Sequence, residues 1–80
     1  MKYKHNIYLI KPTDDTFDKY IGYDCNDGHV VIADTEEEAR KMCPISDEGD
    51  IWTRLDLTTC KKIGESNMEK QVVLVSFRAG

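Results

Sequence analysis

No apolar run in this chain approaches the roughly 18 residues that a membrane-spanning helix needs. Met1-Lys2-Tyr3-Lys4 leads straight into a strand-like segment without the apolar stretch of a secretory leader, so neither export nor membrane insertion is expected. The three cysteines, Cys25, Cys43 and Cys60, cannot all pair within the chain, and neither they nor the two histidines fall at the spacing of a disulfide framework or a metal knuckle. Together these absences point to a reducing, cytoplasmic compartment, with no metal and no cofactor. Glycine-rich phosphate loops are missing too: Gly22, Gly28, Gly49 and Gly64 are isolated turn residues and Gly80 ends the sequence. Positive charge is scattered rather than clustered. With 15 acidic residues against 11 basic ones and a formal charge of −4, direct nucleic-acid binding through the phosphate backbone is not expected.

What is present describes one small domain over residues 1–80. A hydrophobic content of 40% beside 32% charged residues is too apolar for disorder, although a chain this short buries only about 60–65% of its unfolded surface and so has a thin core. Strand signals occur at His5 to Lys11, closed by Pro12, and at His29 to Ala33 after an Asn26-Asp27-Gly28 turn, with Tyr20 to Cys25 briefly extended before it. Thr13 to Lys19 is polar and opens with turn chemistry, which predicts a loop. The clearest local pattern is Thr35-Glu36-Glu37-Glu38, a capping box in which the Thr35 oxygen takes the Glu38 N–H and the Glu38 carboxylate reaches back to the Thr35 N–H. A helix over residues 36–43 follows, supported by Glu36–Arg40 and Glu37–Lys41 pairs, presenting Ala39, Met42 and Cys43 to the sheet and stopped by Pro44. An acidic loop, Asp47-Glu48-Gly49-Asp50, precedes Trp52, which is expected to plug the core. A third strand spans Thr58 to Ile63. The last, starting at Gln71, is a continuous apolar run (Val72-Val73-Leu74-Val75) that reads as buried on both faces of a sheet. The expected fold is α+β: a mainly antiparallel four-stranded sheet with one short helix on one face, in the order β-β-α-β-β.

No catalytic constellation can be assembled from these residues. A Cys25–His29 pair would need an orienting group and an oxyanion hole that the sequence does not supply, and the carboxylates sit in loops and at a helix cap, where solvation explains them. The reading is therefore non-enzymatic. Two binding surfaces stand out. Asp14, Asp15 and Asp18, with Glu36 and Glu37 and with Asp47, Glu48 and Asp50, can sum to a negative face that attracts a basic protein surface. Alternatively Tyr23, Asp24, Trp52 and Arg78 could line a pocket in which rings stack on a nucleotide and the arginine grips its phosphate. Tyr3, Tyr8 and Tyr20 are further ring candidates, though tyrosines in strands more often pack.

The segments Tyr23-Asp24-Cys25-Asn26-Asp27-Gly28-His29-Val30-Val31-Ile32-Ala33 and Glu36-Glu37-Glu38-Ala39-Arg40, with Trp52, Ile63-Gly64 and the closing Val73-Leu74-Val75-Ser76-Phe77-Arg78-Ala79-Gly80, occur in that order. In this the chain resembles a widespread group of small bacteriophage and prophage proteins, over roughly residues 20 to 80. The closing Ser-Phe-x-Ala-Gly is the specific part. Arg78 stands where the group has asparagine, so an amide contact there does not carry over. The resemblance implies a phage origin, and the size suits an anti-CRISPR or other anti-defence protein, with a host protein such as a CRISPR effector subunit as partner. A homodimer is compatible with either binding surface.

Overall fold

The computed structural model describes residues 4–78. Its elements run β1 (His5–Pro12), α1 (Asp14–Tyr20), β2 (Cys25–Ala33), α2 (Glu36–Met42), β3 (Thr58–Ser66) and β4 (Gln71–Arg78). The α+β class and the four-stranded antiparallel sheet agree with expectation, but there are two helices rather than one and the element order is β-α-β-α-β-β. Tyr3 and the Ala79-Gly80 end of the terminal motif lie outside the described residues.

The sheet order is β3-β1-β2-β4. β1 and β2 take the centre because they are apolar on both faces: Tyr8↔Val31 and Ile10↔His29 pair toward the covered side, while Ile7↔Ile32 and Leu9↔Val30 pair on the other. β3 and β4 are consecutive in sequence yet lie on opposite edges. Residues 67–70 therefore cross the end of the sheet, spanning three interstrand steps of about 4.8 Å each.

One face is covered. Tyr8, Ile10, Val31 and Ala33 pack under Ile21, Ala39, Cys43, Ile51 and Trp52, with Phe17 and Met42 closing the sides. Trp52 is 1% exposed and is the largest side chain sealed in this core, as its apolar neighbours required. Four expectations need correction. Residues 14–20 are helical: Thr13 caps α1 by accepting from the Thr16 N–H at 3.2 Å, acids fill its first turn and Lys19 pairs with Asp15. Asn26-Asp27-Gly28 is not a turn before β2 but part of it, where the pairing register with β4 shifts by one residue. β3 extends past Ile63 and Gly64 to Ser66. Finally β4, expected between two strands and buried on both faces, is an edge strand whose Val73 and Leu74 are 52% and 59% exposed.

The predicted helix is found as α2, with a cap shifted by one residue from the expected box. Thr35 Oγ1 accepts from the Glu38 N–H at 3.1 Å, but the Glu38 carboxylate accepts from the N–H of Asp34, at 2.9 Å, rather than from Thr35. Glu36–Arg40 and Glu37–Lys41 form as read from the spacing. Arg40 does more than pair along the helix surface. It is 5% exposed, and its guanidinium donates to Glu36, to the Trp52 carbonyl at 3.1 Å and to both the hydroxyl and the carbonyl of Thr58, tying α2 to the segment that leads into β3.

Candidate functional site

Charge is segregated by layer. Twelve of the fifteen acidic residues, but only four of the eleven basic ones, fall in residues 13–24 and 34–57, the segments laid over the sheet. Asp14, Asp15 and Asp18 are exposed on α1, Glu36 and Glu37 on α2, and Asp47 and Asp50 on the loop that follows. Asp15, Glu36 and Glu37 each hold a cation four residues on. Asp14, Asp18, Asp47 and Asp50 have no ion-pair partner among the described residues, and Asp50 only accepts from the Thr53 hydroxyl. The folded chain thus has an acidic layer whose charge points to solvent, with few basic residues in the same segments.

Glu48 does not belong to this surface, contrary to the reading from sequence. It is 6% exposed, because the turn from Ser46 to Gly49, closed at 3.1 Å with Gly49 at φ 76°, folds its side chain inward. There its carboxylate accepts from Trp52 Nε1 at 2.7 Å, from the Asn26 N–H at 2.7 Å and from the Ser46 N–H at 3.1 Å. Burial alone would push its pKa up, but these donors, Trp52 foremost, outweigh that and hold it below the usual carboxylate value. Glu48 is the pin that fixes the acidic loop to the core.

Beside it lies His29, 1% exposed, its ring edge-on to Trp52 with centroids 4.3 Å apart. Neither ring nitrogen has a hydrogen-bond partner among the described residues, and the nearby Asp27 Oδ1 is likewise buried and unpartnered. Burial lowers the His29 pKa, opposed in part by the charges of Glu48 and Asp27, so the ring is neutral near neutral pH. Cys43 and Cys60 are pushed by burial up to about 12 and about 11 and offer no thiolate under the same conditions. The Cys25–His29 pair weighed from sequence does not form either, since the Cys25 thiol is buried and turned to the Tyr20 carbonyl at 3.8 Å.

The alternative ligand set is brought together only in part. Arg78 lies 5.5 Å from the centroids of both Tyr23 and Phe17, and its carbonyl accepts from the Asp24 N–H, Asp24 itself holding a left-handed φ of 62°. Tyr23, Asp24 and Arg78 are thus one cluster, joined by Phe17, which sequence reading had not included. Trp52 is not part of it, being sealed in the core and committed to Glu48. Tyr8 is also buried, with its hydroxyl held by Asn6 at 3.0 Å, while Tyr20 stays half-exposed.

A second polar cluster had no signal in the sequence, because its members are far apart along the chain. His5 meets Asp34 at 2.5 Å, and Lys70, on the crossing loop, reaches Glu38 at 3.0 Å and Asp34 at 3.7 Å. The contact with Glu38 raises the Lys70 pKa, and the Asp34 N–H and Lys70 together lower that of Glu38. The cluster anchors the crossing loop to the start of α2. Among the described residues no group of three or more His, Cys, Asp or Glu side chains is placed to hold a metal ion, and no helix is long and apolar enough to cross a membrane. Comparison with protein families, with curated proteins and with solved structures finds no match to the chain.

Proposed function

We propose that the chain is a non-enzymatic phage protein that binds a host defence machine, in the manner of an anti-CRISPR protein, by setting its acidic layer against a basic surface that would otherwise contact nucleic acid. The supporting observation is the segregation of charge: exposed carboxylates of α1, α2 and the following loop gather on the layer over the sheet, several of them without local cations. A surface of this kind steers a basic partner from a distance and competes with phosphates for the same lysines and arginines. Rim charges act chiefly on the association rate, whereas buried contacts set how long the complex lasts. Glu48 contributes to that surface only indirectly, by holding the loop that carries Asp47 and Asp50.

The experiment is capture from host lysate with the wild-type chain and with the triple variant Asp18→Lys, Asp47→Lys and Asp50→Lys, all exposed positions away from the helix caps. The proposal expects a nucleic-acid-binding partner in the wild-type capture, released by nucleic acid and lost from the variant. Equal capture by both chains would count against the electrostatic reading.

A second reading, a sponge for a nucleotide immune signal, is favoured by one observation, the exposed Tyr23 ring beside Arg78. Its other expected ring, Trp52, has no free face to offer. Thermal melts against linear and cyclic nucleotides separate the two: a ligand at a hundredfold excess over its Kd stabilises by about 2.7 kcal/mol.

A further inference from the structure

The two free edges of the sheet are built differently. β3 presents Lys61, Lys62 and Glu65, all exposed, around a register shift where Ile63 is the extra residue. Charges and bulges of this kind keep an edge from pairing with another chain. β4 carries two register shifts against β2 as well, but its one charge is the terminal Arg78: from Gln71 to Phe77 there is no charged residue, no glycine and no proline. Val73, Leu74 and Phe77 stand 52%, 59% and 49% exposed along it. Beyond β4 the sheet has no further strand among the described residues, so one side of its backbone is left to solvent.

We propose that β4 is a self-pairing edge, through which two copies of this chain join antiparallel about a two-fold axis into one eight-stranded sheet. Two-fold pairing sets a strand against itself, and like charges facing one another across such a pair are destabilising. β4 avoids that over its whole uncharged span; β3, with Lys61 and Lys62, does not. The pairing also extends an existing surface. Leu74 lies with Leu9, Val30 and Ser76 around a shallow depression of about 280 Å³ on the uncovered face, and a two-fold at β4 places two such depressions in one continuous sheet face. Strand pairing over eight residues buries less than the roughly 1,200–2,000 Å² of a stable interface, so the dimer is weak and reversible.

Sedimentation of the full chain over a concentration series tests this. The wild type should move from 9.2 kDa toward twice that mass as concentration rises. Leu74→Lys, or Ser76→Lys should the first variant fail to fold, should stay monomeric throughout, and Ile63→Lys on the opposite edge should behave as wild type. A wild-type chain that remains monomeric across the series overturns the proposal, including the case in which a strand of another protein binds there instead. So does dimerisation that survives both β4 substitutions, or that is abolished by Ile63→Lys alone.

Discussion

Glu48 illustrates how one buried carboxylate can decide the conformation of a loop. Its three donors come from three places, the Trp52 ring, the β2 backbone at Asn26 and the loop backbone at Ser46, so removing it leaves all three unpaired in a dry environment. Glu48→Ala should cost about 2–4 kcal/mol in a denaturant melt, within the range for buried hydrogen bonds to a charged group, whereas Asp47→Ala should change stability by less than about 0.5 kcal/mol. Equal effects at the two positions would mean that the carboxylate is not the pin described here. From sequence the three carboxylates Asp47, Glu48 and Asp50 look alike, since nothing in an acidic run says which member turns inward. Only the positive φ at Gly49 and the reach to Trp52 distinguish them.

His29 adds a pH dependence of definite sign. Its folded pKa lies below the ordinary value of 6.5, so the unfolded chain binds the proton more readily. Stability from this group is therefore complete above about pH 6.5 and declines as the pH falls below it, toward the folded pKa. Glu48, also depressed from its ordinary value of 4.5, adds a second loss at still lower pH. Urea melts of the wild type should weaken between pH 7 and pH 5, and His29→Phe, which keeps an aromatic ring against Trp52, should flatten that slope. An unchanged slope in the variant would assign the loss to other groups.

At the scale of elements, α2 was legible because capping residues, i,i+4 pairs and a terminating proline agree along Thr35 to Pro44. α1 carried the same kinds of signal in fainter form: a threonine cap, two acids in the first turn and an Asp15–Lys19 pair, all within seven residues after a proline that suggested a turn. The cap is testable. Thr13→Ala should cost about 1 kcal/mol and Thr35→Ala a similar amount, measured by thermal melts; no effect at Thr13 would leave α1 held by packing of Thr16 and Phe17 alone. β4 was legible as a strand but not as an edge. A continuous apolar run reports that both faces avoid water somewhere, and the centre of the sheet was taken by β1 and β2, whose apolar residues flank each other in register. An apolar strand left on an edge is a conflict between pattern and placement, and the self-pairing proposed above resolves it by giving β4 a second neighbour.

At the scale of the whole molecule, the sequence shows a modest charge of −4 and gives little sign of a polarised surface. Folding sorts it, because the acidic segments form the layer over the sheet while seven of the eleven basic residues fall outside those segments. The Tyr23, Asp24 and Arg78 grouping was partly visible as a set of ligand-like residues, but Phe17 and the exclusion of Trp52 depended on where α1 and the core came to lie. The central claim is that the acidic layer is the working face. The measurement that tests it most directly is the association rate of the wild-type chain and of the Asp18→Lys, Asp47→Lys, Asp50→Lys variant with the partner captured from lysate, each at low and at high salt. The account predicts a wild-type rate that falls tenfold or more as the Debye length shrinks from about 10 Å at 0.1 M to about 3 Å at 1 M, with a variant that is slow at low salt and nearly insensitive to it. Equal rates for the two chains at both salt concentrations would contradict it.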